Sequence, residues 1–132
     1  MENKYYSQIT FLYYNDLEAA AAFYQGALGL SLVEDQGFAR IFQVREHAFV
    51  GLVDGNKGFY PAQPKNAVML TFCVDDVEAM YEELKDHAVK ILSQPEMDEE
   101  MQITSFFFED PGGYTLEIQK FHNSRLASIF QL

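Results

Sequence analysis

The side chains best suited to acid–base, nucleophilic or metal chemistry are few and widely separated in this sequence. The histidines are His47, His87 and His122, and the single cysteine is Cys73. The histidines lie at a predicted turn, near a predicted helix end and in the C-terminal tail, and their spacing matches no metal-binding motif. We therefore interpret them as surface residues. The sequence also contains no Ser-His-Asp pattern and no phosphate-binding loop.

Cys73 and Arg40 each leave two interpretations open. Cys73 is either a reactive thiol or an inert buried cysteine, and the second is favoured because an acidic, apolar setting does not lower the pKa of a thiol. Arg40 lies in an apolar, strand-like run, but the length of the neighbouring turn is ambiguous. Its side chain therefore faces either inward, where it could pair with Glu117 or bind a ligand carboxylate, or outward as a surface arginine.

The composition indicates one globular domain, residues 1–132, and excludes several classes of protein. The chain has 132 residues, of which 48% are hydrophobic and 15% aromatic, which is enough to form a core and excludes a disordered chain. The apolar runs are too short to span a bilayer. A net charge of -11 disfavours nucleic-acid binding. The lone cysteine and the absence of a signal-peptide pattern favour a cytoplasmic location.

The elements that must position any site form an approximate repeat. Residues 11–20 resemble residues 71–80, with Asp16, Glu18 and Ala19 matched to Asp76, Glu78 and Ala79 at an offset of sixty. In each copy a run of strand length ends in an acidic residue that can cap a helix. Chance similarity is the alternative, because a strand followed by an acid-capped helix is common. The strands and helices that follow match in kind, which favours a repeat.

Periodicity and turn residues predict two βαβββ modules, at about 6–54 and 66–120, joined by a linker at 55–65. The predicted strands are Gln8–Tyr14, Ser31–Glu34, Phe38–Val44, Ala48–Val53, Ala67–Val74, Lys90–Ser93, Ile103–Phe108 and Thr115–Gln119, and the predicted helices are Leu17–Leu28 and Val77–His87. Pro95–Gln102 is predicted to be an acidic loop. A short tail helix at about 123–131, capped by Asn123 or Ser124, packs either on its own domain or at a dimer contact.

Three stretches carry a resemblance to a known family. They are the strand followed by Asn-Asp-Leu-Glu-Ala at 15–19, the Phe-Tyr and Leu-Gly-Leu pattern at 23–30, and Glu-Asp-Pro-Gly-Gly-Tyr-Thr-Leu-Glu at 109–117. With the paired modules, they resemble the glyoxalase/bleomycin-resistance/dioxygenase (vicinal oxygen chelate) superfamily. The resemblance implies an α+β fold in which two βαβββ modules form a cup-shaped, curved mixed sheet, often completed across a homodimer. It does not imply one reaction, because the same fold serves enzymes and metal-free binding proteins.

The resemblance also implies where a metal would be bound in this sequence. The four implied positions are occupied by Ile9, Gly51, Met69 and Glu117. Only Glu117 is a good ligand for a divalent ion, since an isoleucine, a glycine and a thioether do not provide the required donors. We therefore expect no metal and no other cofactor.

Side-chain alternation, anchored on those positions, predicts the residues that face the cup. The predicted ligand-binding residues are Phe11, Tyr13, Arg40, Phe49, Thr71, Ser105, Phe107, Glu117 and Gln119. Such a lining suits a small planar or apolar molecule held by stacking and a few hydrogen bonds. The alternative is that the aromatic side chains fill the cup themselves.

The sequence is compatible with three functions. The first is a metal-free protein that binds a small molecule for sequestration or sensing. The second is a divalent-metal lyase, isomerase or dioxygenase with non-standard ligands around Glu117. The third is an interaction domain without a ligand. Metal analysis distinguishes the first two, and a ligand screen distinguishes the first from the third.

Overall fold

The computed structural model describes residues 4–131, which divide into two compact units between Lys65 and Asn66. Each unit contains one open sheet with a helix packed against it. The predicted α+β fold class is therefore confirmed. None of the described helices is long and apolar enough to cross a membrane.

The first unit has the predicted order of one strand, one helix and three strands. Its elements are β1 (Gln8–Tyr14), α1 (Leu17–Ala22), which continues as a π-helical turn (Phe23–Ala27), β2 (Ser31–Asp35), β3 (Ala39–Arg45) and β4 (Ala48–Asp54). The sheet order is β1-β4-β3-β2, and β1 runs parallel to β4 while the other pairs are antiparallel. This order places the first and last strands of the unit side by side.

The core of the first unit lies between α1 and one face of this sheet. In β1 the alternate residues Leu12 and Tyr14 are buried, and the Tyr14 hydroxyl lies 3.3 Å from that of Tyr24. Helix α1 begins after Asp16, whose carboxylate accepts a hydrogen bond from the backbone N–H of Ala19. The other face of the sheet is free of this helix, so alternation assigns the remaining residues of β1 to an open face.

The second unit repeats this arrangement. Its elements are β5 (Met69–Cys73), α2 (Val77–Asp86), β6 (Lys90–Ile91), β7 (Glu96–Asp98), β8 (Ile103–Glu109), β9 (Thr115–Phe121) and α3 (Ser124–Phe130). The sheet order is β5-β9-β8-β6, with β5 parallel to β9 and with β7 also paired to β8. Asp76 caps α2 through the N–H of Ala79, as Asp16 caps α1 sixty residues earlier.

The core of the second unit is formed by alternate residues of its two long strands. Phe106 and Phe108 in β8, and Leu116 and Ile118 in β9, are completely buried. Tyr81 of α2 packs edge-on against Phe106, at 5.2 Å between ring centroids. The residues between them, at odd positions in both strands, therefore face the open side of the sheet.

The predicted acidic loop at Pro95–Gln102 is wrong in part, because Glu96–Asp98 forms β7 against β8. Together, β6 and β7 form one interrupted edge of the sheet. At the interruption, the backbone N–H groups of Leu92 and Ser93 both donate to the carbonyl of Phe107, and the Ser93 hydroxyl accepts from the N–H of Phe107. The strand predicted to reach Ser93 therefore ends at Ile91.

The predicted tail helix is present and packs on its own unit, which is one of the two alternatives raised by the sequence. Asn123 caps α3 by accepting hydrogen bonds from the N–H groups of Arg125 and Leu126. Phe130 stacks on Phe121 of β9 with 4.9 Å between ring centroids. The helix thus covers one end of the open face of the second sheet.

Candidate functional site

A pocket of about 610 Å³ lies on the open face of the second sheet. Its lining comes from β7, β8, β9 and the segment between β7 and β8: Glu96, Met97, Asp98, Met101, Ile103, Ser105, Phe107, Glu117 and Gln119. Strand register explains why these residues meet. Phe107 is paired with Glu117 and Ser105 with Gln119, so adjacent odd-numbered positions point to the same side.

Glu117 is the most buried carboxylate of the pocket, with only 8% of its surface exposed. The Thr71 hydroxyl donates a hydrogen bond of 2.7 Å to its Oε1. The Gln119 amide, oriented with its nitrogen toward the carboxylate, donates to Oε1 at 3.0 Å and to Oε2 at 3.1 Å. Neutral donors therefore hold the carboxylate in place, and an ionised carboxylate retains acceptor capacity beyond these contacts.

The turn before β9 determines where Glu117 lies. The carboxylate of Asp110 accepts hydrogen bonds from the N–H groups of Gly112 and Tyr114, at 2.9 and 3.0 Å. Gly113 adopts a φ of 84°, which a side chain would disfavour. This tight turn sets the start of β9, and alternation then places Glu117 on the open face.

The outer wall of the pocket is the short strand β7. Glu96 is paired with Ser105 and Asp98 with Ile103, so both acidic side chains point toward the open face. Met97 has the opposite parity and is paired with Thr104, whose hydroxyl donates a hydrogen bond of 3.3 Å to its sulfur, but the residue still borders the pocket. Sequence reasoning missed this wall because one alternation over three residues cannot be distinguished from a loop.

Four of the sequence-predicted residues, namely Ser105, Phe107, Glu117 and Gln119, line the pocket. Thr71 contributes through its hydrogen bond to Glu117. The lining residues that the sequence analysis did not assign are Glu96, Met97, Asp98, Met101 and Ile103. Only Ile103 carried a usable signal, because it has the same parity as Ser105 in a predicted strand.

Three predicted residues of the first unit, Phe11, Tyr13 and Phe49, occupy the open face of their own sheet. Phe11 and Tyr13 alternate with the buried Leu12 and Tyr14, and Phe49 is paired with Ile9. The ring of Phe11 lies directly over Gly51, in the space that a side chain there would occupy. The linker residue Tyr60 packs edge-on against Tyr13, at 5.6 Å between centroids. Part of this open face is therefore covered by the unit's own aromatic side chains.

The guanidinium group of Arg40, which was predicted to bind a ligand, is paired with acidic side chains of its own unit. Its guanidinium forms an ion pair with Glu18 of α1, and its Nε lies 3.6 Å from Asp35. The hydrogen bond to Glu18 raises the pKa of Arg40 above its usual value, and the same bond lowers the pKa of Glu18. Arg40 therefore connects β3 to α1, and it does not form the pair with Glu117 that an inward orientation would allow.

Cys73 is exposed, so the predicted burial is wrong. The reason is that it points to the open face at the end of β5, an edge strand of the second sheet. Partial desolvation, and then the nearby Glu117 carboxylate, raise the pKa of its thiol. This direction agrees with the predicted low reactivity. His47, His87 and His122 are exposed, as predicted.

The donor set does not fit the divalent metal site of the superfamily. Ile9, Gly51 and Met69 supply no carboxylate or imidazole, and Glu117 is already engaged by Thr71 and Gln119. Residues 4–131 contain no group of three or more histidine, cysteine, aspartate or glutamate side chains arranged to hold a metal ion.

Comparison with known proteins identifies the family. The model of the Glyoxalase/Bleomycin resistance protein/Dioxygenase superfamily matches residues 7–118, and the chain belongs to this superfamily. It is similar to the uncharacterized protein YraH of Bacillus subtilis (strain 168), with 25% identity over 116 residues that cover 80% of this chain and 91% of that protein.

Solved structures show the same fold. A glyoxalase/bleomycin resistance protein/dioxygenase from Nocardioides has a TM-score of 0.75 and 19% identity, covering 94% of this chain and 88% of the other. A lactoylglutathione lyase from Agrobacterium tumefaciens has a TM-score of 0.68 and 22% identity, covering 91% of this chain and 96% of the other. At these identities the likeness establishes the fold and not the reaction.

Proposed function

We propose that this protein is a metal-free member of the superfamily that binds a small, partly apolar molecule for sequestration or sensing. The observation that carries the proposal is the pocket on the open face of the second sheet. It combines an aromatic wall, Phe107, with two nearly buried polar side chains, Glu117 and Gln119. Pockets of this composition hold a ligand by apolar contact and orient it with a few hydrogen bonds.

The polar residues distinguish a binding site from an ordinary core. Burying a carboxylate and an amide is unfavourable unless their hydrogen bonds are satisfied, and a core gains nothing from them. Here both side chains point into an open pocket and not into the layer beneath α2, where Leu116 and Ile118 are fully buried. These polar groups lie only on the face of β9 that lines the pocket, which supports the proposal that the pocket binds a ligand.

The donor set favours a binding protein over the metal enzyme. A divalent ion needs several converging carboxylates or imidazoles to replace its hydration shell, and Ile9, Gly51 and Met69 cannot contribute them. We expect the purified protein to contain no stoichiometric zinc, nickel, manganese or iron, and chelators to leave its melting temperature unchanged. About one equivalent of tightly bound metal per chain would favour the enzyme instead.

A thermal-shift screen with planar aromatic compounds tests the binding function. A compound that binds the folded state raises the melting temperature, and above Kd the stabilisation grows with the logarithm of its concentration. The Phe107→Ala variant should lose the shift because it removes the aromatic wall of the pocket. Phe59→Ala is the matched control, since Phe59 is highly exposed and does not line the pocket. A broad screen without any shift, combined with a filled pocket in a crystal structure, would contradict the proposal.

We also propose that the protein acts in the cytoplasm as a homodimer. The homodimer is supported by the superfamily resemblance and by apolar side chains such as Ile9 and Phe11 that are about two-fifths exposed. Light scattering should give about twice the chain mass of 15.1 kDa. A monomeric mass at micromolar concentration would contradict this part of the proposal without affecting ligand binding.

A further inference from the structure

We propose that the ligand is a protonated amine attached to a planar aromatic or apolar body, with the ammonium N–H directed at Glu117. This inference rests on the proposed binding function and specifies the chemical class of the ligand. It follows from the charge, hydrogen bonding and apolar surface of the pocket on the second sheet.

The pocket carries acidic side chains and no basic ones among its described lining residues. The acidic residues are Glu96, Asp98 and Glu117. Because Glu96 and Asp98 share a face of β7, their negative charge is directed at the same volume as Glu117. Such a one-signed lining attracts cations and repels anions, and the chain's net charge of -11 acts in the same direction.

Glu117 is the carboxylate for which a cation would have the largest effect. It is more than nine-tenths buried, and no ion pair involves it among residues 4–131. A carboxylate removed from water is costly unless it is paired, and neutral donors offset only part of this cost. A cationic ligand would therefore be stabilised by the carboxylate more strongly than a neutral ligand of the same shape.

The hydrogen bonds at Glu117 favour an N–H cation over a quaternary one. Oε1 accepts from Thr71 and Gln119, whereas the Gln119 amide is the only donor to Oε2 among residues 4–131. Oε2 therefore has acceptor capacity for one further donor, which a protonated amine supplies and a tetraalkylammonium does not.

The remaining lining favours an organic cation over an inorganic ion. Phe107, Ile103 and Met101 offer an aromatic ring, a branched aliphatic chain and a thioether. These groups bind the faces of planar apolar molecules, and an aromatic face also attracts positive charge. An inorganic cation gains nothing from this apolar surface, and residues 4–131 contain no group of three or more acidic, histidine or cysteine side chains arranged to hold one.

Three naphthalene probes of matched shape test the inference by calorimetry. They are 2-(aminomethyl)naphthalene, which is cationic at neutral pH, the neutral 2-(hydroxymethyl)naphthalene, and the anionic 2-naphthoate. We expect the amine to bind about tenfold more tightly than the alcohol, the naphthoate to bind most weakly, and added salt to reduce the amine's advantage. A trimethylammonium analogue should bind more weakly than the primary amine.

The Glu117→Gln variant should remove most of this preference by weakening the amine about tenfold while changing the affinity of the alcohol less than about twofold. Glu100→Gln is the control, because it also removes one negative charge, from the segment between β7 and β8, but at a residue that does not line the pocket. If Glu117→Gln does not fold, the exposed pair Glu96→Gln and Asp98→Asn, made together, provides the same comparison.

The outcomes separate this inference from the proposed function. If the alcohol or the naphthoate binds as tightly as the amine, the cation preference is overturned while small-molecule binding is upheld. An amine preference that Glu100→Gln weakens as much as Glu117→Gln also overturns the inference, because it would show only a general field effect. If none of the probes binds up to about 1 mM, and the aromatic screen is also negative, both proposals fail.

Discussion

The Thr71 hydroxyl donates a 2.7 Å hydrogen bond to the Glu117 carboxylate across the parallel pair of β5 and β9. This contact joins the first and last strands of the second unit on the open face of the sheet. It also holds the carboxylate that faces the pocket. Thr71 is therefore a positioning residue for the proposed site as well as part of the sheet.

We predict that Thr71→Val lowers the free energy of unfolding by about 1–2 kcal/mol, since a hydrogen bond to a charged, buried acceptor is lost while shape is retained. Urea denaturation measures the change. Thr10→Val is the matched control, because Thr10 is also a threonine in a strand and its hydroxyl has no hydrogen-bond partner among the described residues. Equal losses in the two variants would show that the Thr71–Glu117 contact contributes no stability of its own.

Phe11 and Gly51 form the corresponding close contact in the first unit. They are register partners in the parallel pair of β1 and β4, and the Phe11 ring occupies the space beside the Gly51 α-carbon. We predict that Gly51→Ala lowers the free energy of unfolding by about 1–3 kcal/mol through overpacking. Because Phe11 is 42% exposed, its ring can move outward, which favours the lower part of this range.

A double-mutant cycle tests the origin of that loss. In a Phe11→Ala background, Gly51→Ala should cost less than about 0.5 kcal/mol because the obstructing ring is absent. Gly26→Ala is the control, since Gly26 has a negative φ and nothing within 4 Å of an added Cβ, and it should leave stability unchanged or raise it. A Gly51→Ala cost that persists without Phe11 would contradict the steric explanation.

The tail helix supplies a prediction about stability and assembly together. Removing residues 123–132 deletes the stack of Phe130 on Phe121 and the hydrogen bond from Gln131 to Asp75, which is 2.9 Å long. We expect a lower melting temperature from the loss of packing, with the mass in light scattering unchanged, because these contacts lie within one chain. Phe130→Ala should reproduce part of the loss, about 0.5–1.5 kcal/mol. A change of mass on truncation would instead assign the helix to a dimer contact.

The sequence predicted which side chains share a face of a strand more accurately than it predicted the short strand β7 and the register shifts of β3. Leu12 and Tyr14, or Leu116 and Ile118, alternate with open-face residues because strand geometry has a strict period of two. The helix starts were also accessible, since Asp16 and Asp76 are capping residues at matched positions. Local physical rules determine both features.

The errors arose where non-local pairing decides the structure. The orientation of Arg40 depends on register shifts in the pairing of β3 with β2 and β4, which no local pattern reveals. β7 forms through its pairing with β8, which is a non-local contact. Its three residues are also too few to show the alternation that identifies a strand in a sequence. The outer wall of the pocket could therefore not be predicted from the sequence, whereas Glu117 and Gln119 could be predicted from alternation anchored on the positions that the superfamily resemblance implies.

The ion pair of Glu18 with Arg40 predicts a specific dependence of stability on pH. Arg40 lowers the pKa of Glu18 in the folded state, first through their hydrogen bond and then through its charge. The folded protein therefore binds this proton less readily than the unfolded chain, and the stabilisation is complete above the ordinary glutamate pKa of 4.5. It is lost as the pH falls through the lowered pKa of the folded state.

We therefore expect Glu18→Gln to be less stable than the unmodified protein at pH 7, and the difference in free energy of unfolding to close as the pH falls below 4.5. Denaturation curves between neutral and acidic pH measure this gap. Glu78→Gln is the matched control. Glu78 lies in the first turn of α2, as Glu18 does in α1, so both side chains have the favourable effect of an acid near a helix N-terminus. Unlike Glu18, Glu78 forms no ion pair among residues 4–131. High salt should also narrow the Glu18 gap, since Glu18 is largely exposed and its pairing is screened. If the two variants show the same pH dependence, the effect belongs to the helix terminus, and Arg40 has no special role in holding α1 to β3.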